Sequence, residues 1–200
     1  MRPQTSIDLF NYLLRQRIIF LTGYVNDKVA TQIVGSLMAL DTMDQEEDIR
    51  MYINSSGGQP YSIFGVLDAM KAVKPDIQTL GLGACYSYAS LILAAGTPGK
   101  RFSMKNTRIM MTQPMAEAAS ARAVLSARYY MEFTGMDQDE VEENTNRDFF
   151  MTPEIAVQQG LIDGVIGDEE DLYAPPAVTK QLRDMGLNDD LTPNLVKWYR

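Results

Sequence analysis

Ile49-Arg50-Met51-Tyr52-Ile53 followed by Asn54-Ser55-Ser56-Gly57-Gly58 reads as a short β-strand closed by a turn. Branched and apolar residues fill the first five positions, and turn-forming residues fill the next five. Ile63, Val66, Leu67, Met70 and Val73 then recur at helical spacing. Pro75 ends that helix near Lys74, because the residue before a proline avoids the α region. Strand, turn and helix make one β-α unit, and the pattern repeats on both sides of it. Upstream, Arg17-Ile18-Ile19-Phe20-Leu21-Thr22-Gly23 is a buried strand stopped by glycine. Asn26 is placed to cap the next helix, in which Val29, Ile33, Val34 and Leu37 form the apolar stripe. Downstream, a third strand is expected over 77–82, and Gly83 leads into a mostly apolar helix over 87–95 that Gly96 stops. Arg108-Ile109-Met110-Met111-Thr112 is another strand, with helices expected over 116–134, over 137–146 and from Thr152-Pro153 to 159. Leu161-Ile162-Asp163-Gly164-Val165-Ile166 closes the set as a strand. The alternation defines an α/β architecture of stacked β-α units.

A chain of 200 residues suits one domain, or one domain with a tail. With 46% hydrophobic and 22% charged residues, it is expected to form a globular core rather than a disordered linker. A formal charge of -8, with its acids scattered, disfavours nucleic acid and anionic membrane as partners. No apolar stretch is long enough to span a bilayer. The single cysteine, Cys85, excludes an intrachain disulfide and fits a reducing compartment. The most informative count is that of histidine, which is zero. Histidine is the usual base where serine or cysteine must be deprotonated near neutral pH, so histidine-based triads and histidine metal sites are excluded within this chain. Asp44, Glu46, Glu47 and Asp48 fall between a helix pattern and a strand pattern, where a solvated loop is expected rather than a carboxylate metal site. No metal and no cofactor are expected.

Five segments in order, over about residues 7–168, resemble the Clp protease proteolytic-subunit family (ClpP-like), which is related in fold to the crotonases. The first is the strand from Arg17 to Gly23. Tyr52-Ile53-Asn54-Ser55-Ser56-Gly57-Gly58 resembles the family's Tyr-Ile-Asn-Ser-Pro-Gly-Gly, and Gly96-Thr97-Pro98-Gly99-Lys100-Arg101-Phe102 resembles the turn after its nucleophile helix. Asn106-Thr107-Arg108-Ile109-Met110-Met111-Thr112-Gln113-Pro114 is similar to Asn-Ser-Arg-Val-Met-Ile-His-Gln-Pro, with threonine in place of histidine. Arg147-Asp148-Phe149-Phe150-Met151-Thr152-Pro153-Glu154, with Gly160-Leu161-Ile162-Asp163, resembles the acidic end of the triad. The resemblance is strongest to the inactive paralogues of cyanobacteria and plastids.

Carried over residue by residue, the resemblance puts Ser87 at the nucleophile position, Thr112 at the histidine position and Asp148 at the aspartate position. Gly58 and Tyr88 take the places of the two oxyanion-hole N–H donors. In working members serine attacks the peptide carbonyl, histidine takes its proton and aspartate orients the ring. A threonine hydroxyl accepts no proton at neutral pH. In another serine protease, loss of the histidine costs on the order of a millionfold in turnover. None of the triad positions is therefore expected to function catalytically. A further departure is that Tyr86 and Tyr88 flank Ser87, where the family favours small residues. Between Thr112 and Asp148 the chain is also shorter than active members by about three to four helical turns. That region, 115–136 here, would be the handle helix that joins two heptameric rings.

Without the resemblance, each residue has a plainer role. Ser87 is a helix N-cap between strand and helix, which in the absence of histidine is preferred to catalysis. Asp148 is a hydrogen-bond or ion-pair acceptor, Gly57-Gly58 a turn, Cys85 a small core residue, and Lys100 a solvent-exposed turn residue rather than the base of a Ser-Lys dyad.

The expected organisation is an N-terminal segment, 1–16, a ClpP-like domain, 17–168, and a C-terminal tail, 169–200. The expected function is that of a non-catalytic structural subunit of an ATP-dependent Clp-type serine protease core. It would sit in mixed heptameric rings with active subunits, on which an AAA+ Clp ATPase docks, in bacterial cytoplasm or plastid stroma. Two rivals are a weakly active serine peptidase in which Ser87 uses a non-histidine or borrowed base, and a crotonase-like acyl-CoA enzyme using Gly58 as an oxyanion donor.

Overall fold

The computed structural model describes residues 9–111, 121–145 and 149–167. A short helix, α1 (Leu9–Arg15), within the N-terminal segment, leads into β1 (Ile18–Thr22). Then follow α2 (Asp27–Met43), β2 (Ile49–Ser55), α3 (Pro60–Ala72), β3 (Ile77–Tyr86) and α4 (Tyr88–Ala94). β4 (Arg101–Met104), β5 (Arg108–Met111), α5 (Ala121–Thr134), α6 (Gln138–Thr145), β6 (Phe149–Met151), α7 (Pro153–Gln158) and β7 (Gly164–Ile166) complete it. The strands form one sheet in the order β1-β2-β3-β4-β7, parallel throughout, with β5 parallel to β3 and β6 antiparallel to β5.

β2 alternates as its composition dictates: Ile49, Met51 and Ile53 are fully buried, whereas Arg50 and Tyr52 are only half-buried on the other face. The buried side receives Ile33, Leu37 and Leu40 of α2 and Ile63 and Leu67 of α3. Each such side chain contributes about 1.5–3 kcal/mol by leaving water. On the other face Phe20 and Tyr52 meet edge to face at 5.4 Å, and Phe10 of α1 covers Phe20 at 5.9 Å.

The Asn26 side chain accepts from the Val29 N–H at 3.1 Å, the expected cap of α2. The other end of α2 is held by Arg17, which is 4% exposed. Its guanidinium donates to the carbonyls of Leu40 in the last turn, Asp44 at the cap and Asp48 beyond it, tying the end of α2 to the start of β2. Asp44 accepts from the N–H groups of Glu46 and Glu47, chiefly the former, which lowers its carboxyl below the ordinary range.

Two strands were not foreseen and two differ in length. β3 runs on to Tyr86 because Gly83 bends the strand instead of ending it, and Asn54 Oδ1 accepts from the Ala84 N–H at 3.2 Å across that bend. The bend lets one strand serve two neighbours: Thr79–Gly81 pair with β4, and Ala84–Tyr86 pair with β5. β4 and β6 are the unforeseen strands, too short to show a period. β7 begins only at Gly164, while Leu161 and Ile162 are buried ahead of it in a non-strand conformation. The tail over 169–200 lies outside the described residues, as does the first part of the handle region, 115–120.

Candidate functional site

Ser87 sits where β3 gives way to α4. Its backbone has φ 53° and ψ -130°, a left-handed conformation that costs a non-glycine residue about 1–3 kcal/mol and persists only where surroundings enforce it. The Ser87 N–H donates to the Met110 carbonyl at 2.8 Å, and the Ser90 N–H donates to the Ser87 carbonyl at 2.9 Å. The Ser87 side chain makes no capping hydrogen bond, so the expected N-cap role is corrected: serine occupies the cap position without performing the cap. A strained strand-to-helix turn is how α/β hydrolases present a serine.

Against this turn lies Gly57-Gly58. A Cβ on Gly57 would stand 3.3 Å from Ser87 Cβ and 3.5 Å from Tyr88 N, so the two backbones are in contact. Val25 pairs with Gly58 in a parallel bridge, donating to Gly57 O at 2.9 Å and accepting from Gln59 N at 2.8 Å. Those bonds use the peptide groups on either side of Gly58, which turns its own N–H away from Val25. Among the described residues neither the Gly58 N–H nor the Tyr88 N–H has a hydrogen-bond acceptor. Gly58 is required here, since a side chain would run into the Val25 carbonyl.

The two flanking tyrosines leave the turn intact. The Tyr88 ring is turned inward, 8% exposed, and packs edge to face on Phe64 of α3 at 5.8 Å. Burial, more than the nearby Ser126 hydroxyl, governs its phenol and raises the pKa above the ordinary value, and no hydrogen bond of full geometry reaches that hydroxyl. The Tyr86 ring instead lies against Phe150 of β6 at 5.6 Å. Cys85, just before them, is fully buried, and desolvation pushes its thiol up to about 12, which suits a core residue and not a nucleophile.

Thr112 and Asp148 lie outside the described residues. Their described neighbours, Met111 and Phe149, are partners in the antiparallel register of β5 and β6. Lys100 is 35% exposed in its turn, and there it pairs with Asp48 at 2.7 Å and Asp76 at 2.9 Å. Those carboxylates, Asp48 first, raise its pKa and so keep it a cation rather than a base. Its neighbour Arg101, which sequence reasoning passed over, is 7% exposed and forms a two-pronged pair with Asp163. It also donates to the carbonyls of Ala94 and Phe133, at the ends of α4 and α5. Among the described residues no cluster of three or more metal-ligating side chains exists, and no helix is long and apolar enough to cross a membrane.

A largely parallel α/β sheet with a half-buried serine on a strained strand-to-helix turn, beside two backbone N–H groups that meet no acceptor among the described residues, is the scaffold of a serine hydrolase. The chain belongs to the Clp protease family, whose model matches residues 1–169. It is 40% identical over 178 residues to ATP-dependent Clp protease proteolytic subunit 1 of Synechococcus sp. (strain CC9902), covering 82% of this chain and 90% of that one. It is 42% identical over 172 residues to subunit 1 of Prochlorococcus marinus (strain MIT 9312), covering 80% and 88%. Subunit 2 of Parasynechococcus marenigrum (strain WH8102) is 40% identical over 178 residues, covering 82% and 90%.

Proposed function

We propose that this chain is a non-catalytic subunit of a Clp-type protease core that occupies ring positions beside active subunits. The observation that carries this reading is the absence of histidine from a chain whose serine turn is otherwise in place. Attack by serine requires a base to take its proton: Lys100 is held by Asp48 and Asp76 at the far end of β2 and β3 from Ser87, and Cys85, two residues from it, is buried and protonated. At the histidine position stands Thr112, and at the aspartate position Asp148 is left without a ring to orient. What the chain retains is the sheet, the helix stripes and the core, which is what a wall-forming subunit requires.

Its partners under this reading are active proteolytic subunits and the AAA+ Clp ATPase that docks on the assembled ring. Its setting is bacterial cytoplasm or plastid stroma. A shortened handle region would alter the contacts between rings.

The second reading is a weakly active serine peptidase that borrows a base from a neighbouring subunit. It is favoured by one feature, the persistence of the strained Ser87 turn beside two N–H groups that have no acceptor among the described residues. A serine-reactive fluorophosphonate probe separates the two. Absence of labelling at Ser87 in the assembled complex supports the structural subunit, and labelling supports the peptidase. The acyl-CoA alternative loses its ground, because the family match is to Clp protease.

A further inference from the structure

Tyr130 lies on α5, on the far side of α4 from the sheet, and is 2% exposed. A tyrosine so buried needs a partner for its hydroxyl. It finds one in Ser90, whose Oγ is 2.8 Å away and which is itself fully buried on α4. Ser90 Oγ directs its only hydrogen to the Ser87 carbonyl at 2.7 Å, so it has lone pairs left to accept from Tyr130. The Tyr130 hydroxyl also stands 3.4 Å from that same carbonyl. Three groups thus converge on the Ser87 carbonyl: the Ser90 N–H, the Ser90 hydroxyl and, behind it, the Tyr130 hydroxyl. A donor chain of this kind polarises along its length and holds the final acceptor more firmly than isolated bonds.

The Ser87 conformation is the only positive-φ backbone besides Arg17 among the described non-glycine residues, so it needs enforcement from outside the turn. The β3–β5 pairing fixes its N–H side through Met110. Nothing in the sheet fixes its carbonyl side. We infer that Tyr130 and Ser90 are a positioning pair that holds the Ser87 turn in its strained geometry from α5. This inference concerns the geometry of the turn and stands whether or not Ser87 reacts.

The test is amide hydrogen exchange on the full chain, comparing Tyr130→Phe, which removes only the terminal donor, with Tyr129→Phe. Tyr129 sits beside it on α5 and donates to Asp68 at 3.1 Å, away from the turn, so its variant reports general loosening of α5. Expected in Tyr130→Phe is faster exchange at the hydrogen-bonded amides of Ser87 and Ser90 by roughly three- to tenfold, the effect of losing one buried hydrogen bond, with β1 and β2 unchanged. Tyr129→Phe is expected to leave those turn amides at the rate of the natural chain. Should Tyr130→Phe not fold, Ser90→Ala is judged by the same pattern. Unchanged turn amides, a rise spread evenly over the fold, or an equal rise in Tyr129→Phe overturns the inference.

Discussion

The Ser87 N–H donates to the Met110 carbonyl across 2.8 Å, tying the serine turn to β5 two residues before Thr112. The turn is built, and under the proposed function the chemistry that would use it is not. The purified chain is expected to hydrolyse neither short fluorogenic peptides nor unfolded protein. Ser87→Ala is expected to leave that null result unchanged. Thr112→His alone is expected to restore little. Turnover that disappears in Ser87→Ala refutes this.

Cys85 gives a check that needs no activity. With its thiol pushed up to about 12 by burial, the thiolate is a fraction on the order of one part in ten thousand at pH 8. A disulfide-exchange reagent is expected to modify Cys85 only as the chain unfolds, so labelling without denaturant should be slow and its rate should rise through the unfolding transition. Rapid stoichiometric labelling of the native chain contradicts the buried site.

The Arg101–Asp163 pair predicts a pH dependence with a definite sign. Burial works to raise the Asp163 carboxyl, but the Arg101 guanidinium and the N–H groups of Arg101 and Gly99 outweigh it, and the net shift is downward. A folded-state value below the unfolded value of about 3.9 means that the stabilisation is complete above that pH. It is lost as pH falls through the folded value. Asp163→Asn is expected to cost about 3 kcal/mol at pH 7, because it leaves a buried guanidinium unpaired. The gap in urea midpoint between variant and natural chain is expected to narrow as pH falls below about 4. An equal gap at pH 7 and pH 3 excludes the assignment.

At Gly58 the prediction is steric. Gly58→Ala drives a methyl group into the Val25 carbonyl. The expected loss is about 1–3 kcal/mol in chemical denaturation, as for overpacked sites. Gly35→Ala, on exposed α2 with nothing near its Cβ, is the matched control and is expected to be neutral or stabilising. Equal stability of the two variants removes the tight contact from the account.

Much of this molecule was legible beforehand because its signals are local. Branched runs in β1 and β2, the Asn26 cap, and the apolar stripe from Ile63 to Val73 closed by Pro75 each announce an element from neighbours in sequence. The serine turn was legible only in part. Ser87 between a strand and a helix reads as a cap, and its positive φ arises from contacts with Met110, Gly57 and Ser90 that span the sheet. Tyr130 carries no signal at all, since its partner lies 40 residues away and a tyrosine on an apolar helix face reads as core. Arg101 was hidden in the same way by Asp163, 62 residues on. Strands β4 and β6 escaped because four and three residues are too few to express a period of two.

Assembly is the next expectation. Mixed with an active proteolytic subunit from the same source, the chain is expected to enter its rings, seen as hetero-oligomers in native mass spectrometry. A chain that stays monomeric with every active relative from that source defeats the structural role.

The decisive measurement reconstitutes two mixed complexes with the cognate ATPase and assays both on one unfolded substrate. In the first, this chain carries Ser87→Ala; in the second, the active partner has lost its nucleophile. Full activity in the first and none in the second is the expected result, because each copy of this chain adds wall without adding chemistry. Substantial activity in the second complex, with only Ser87 intact, contradicts the account and shows that a neighbouring subunit supplies the base.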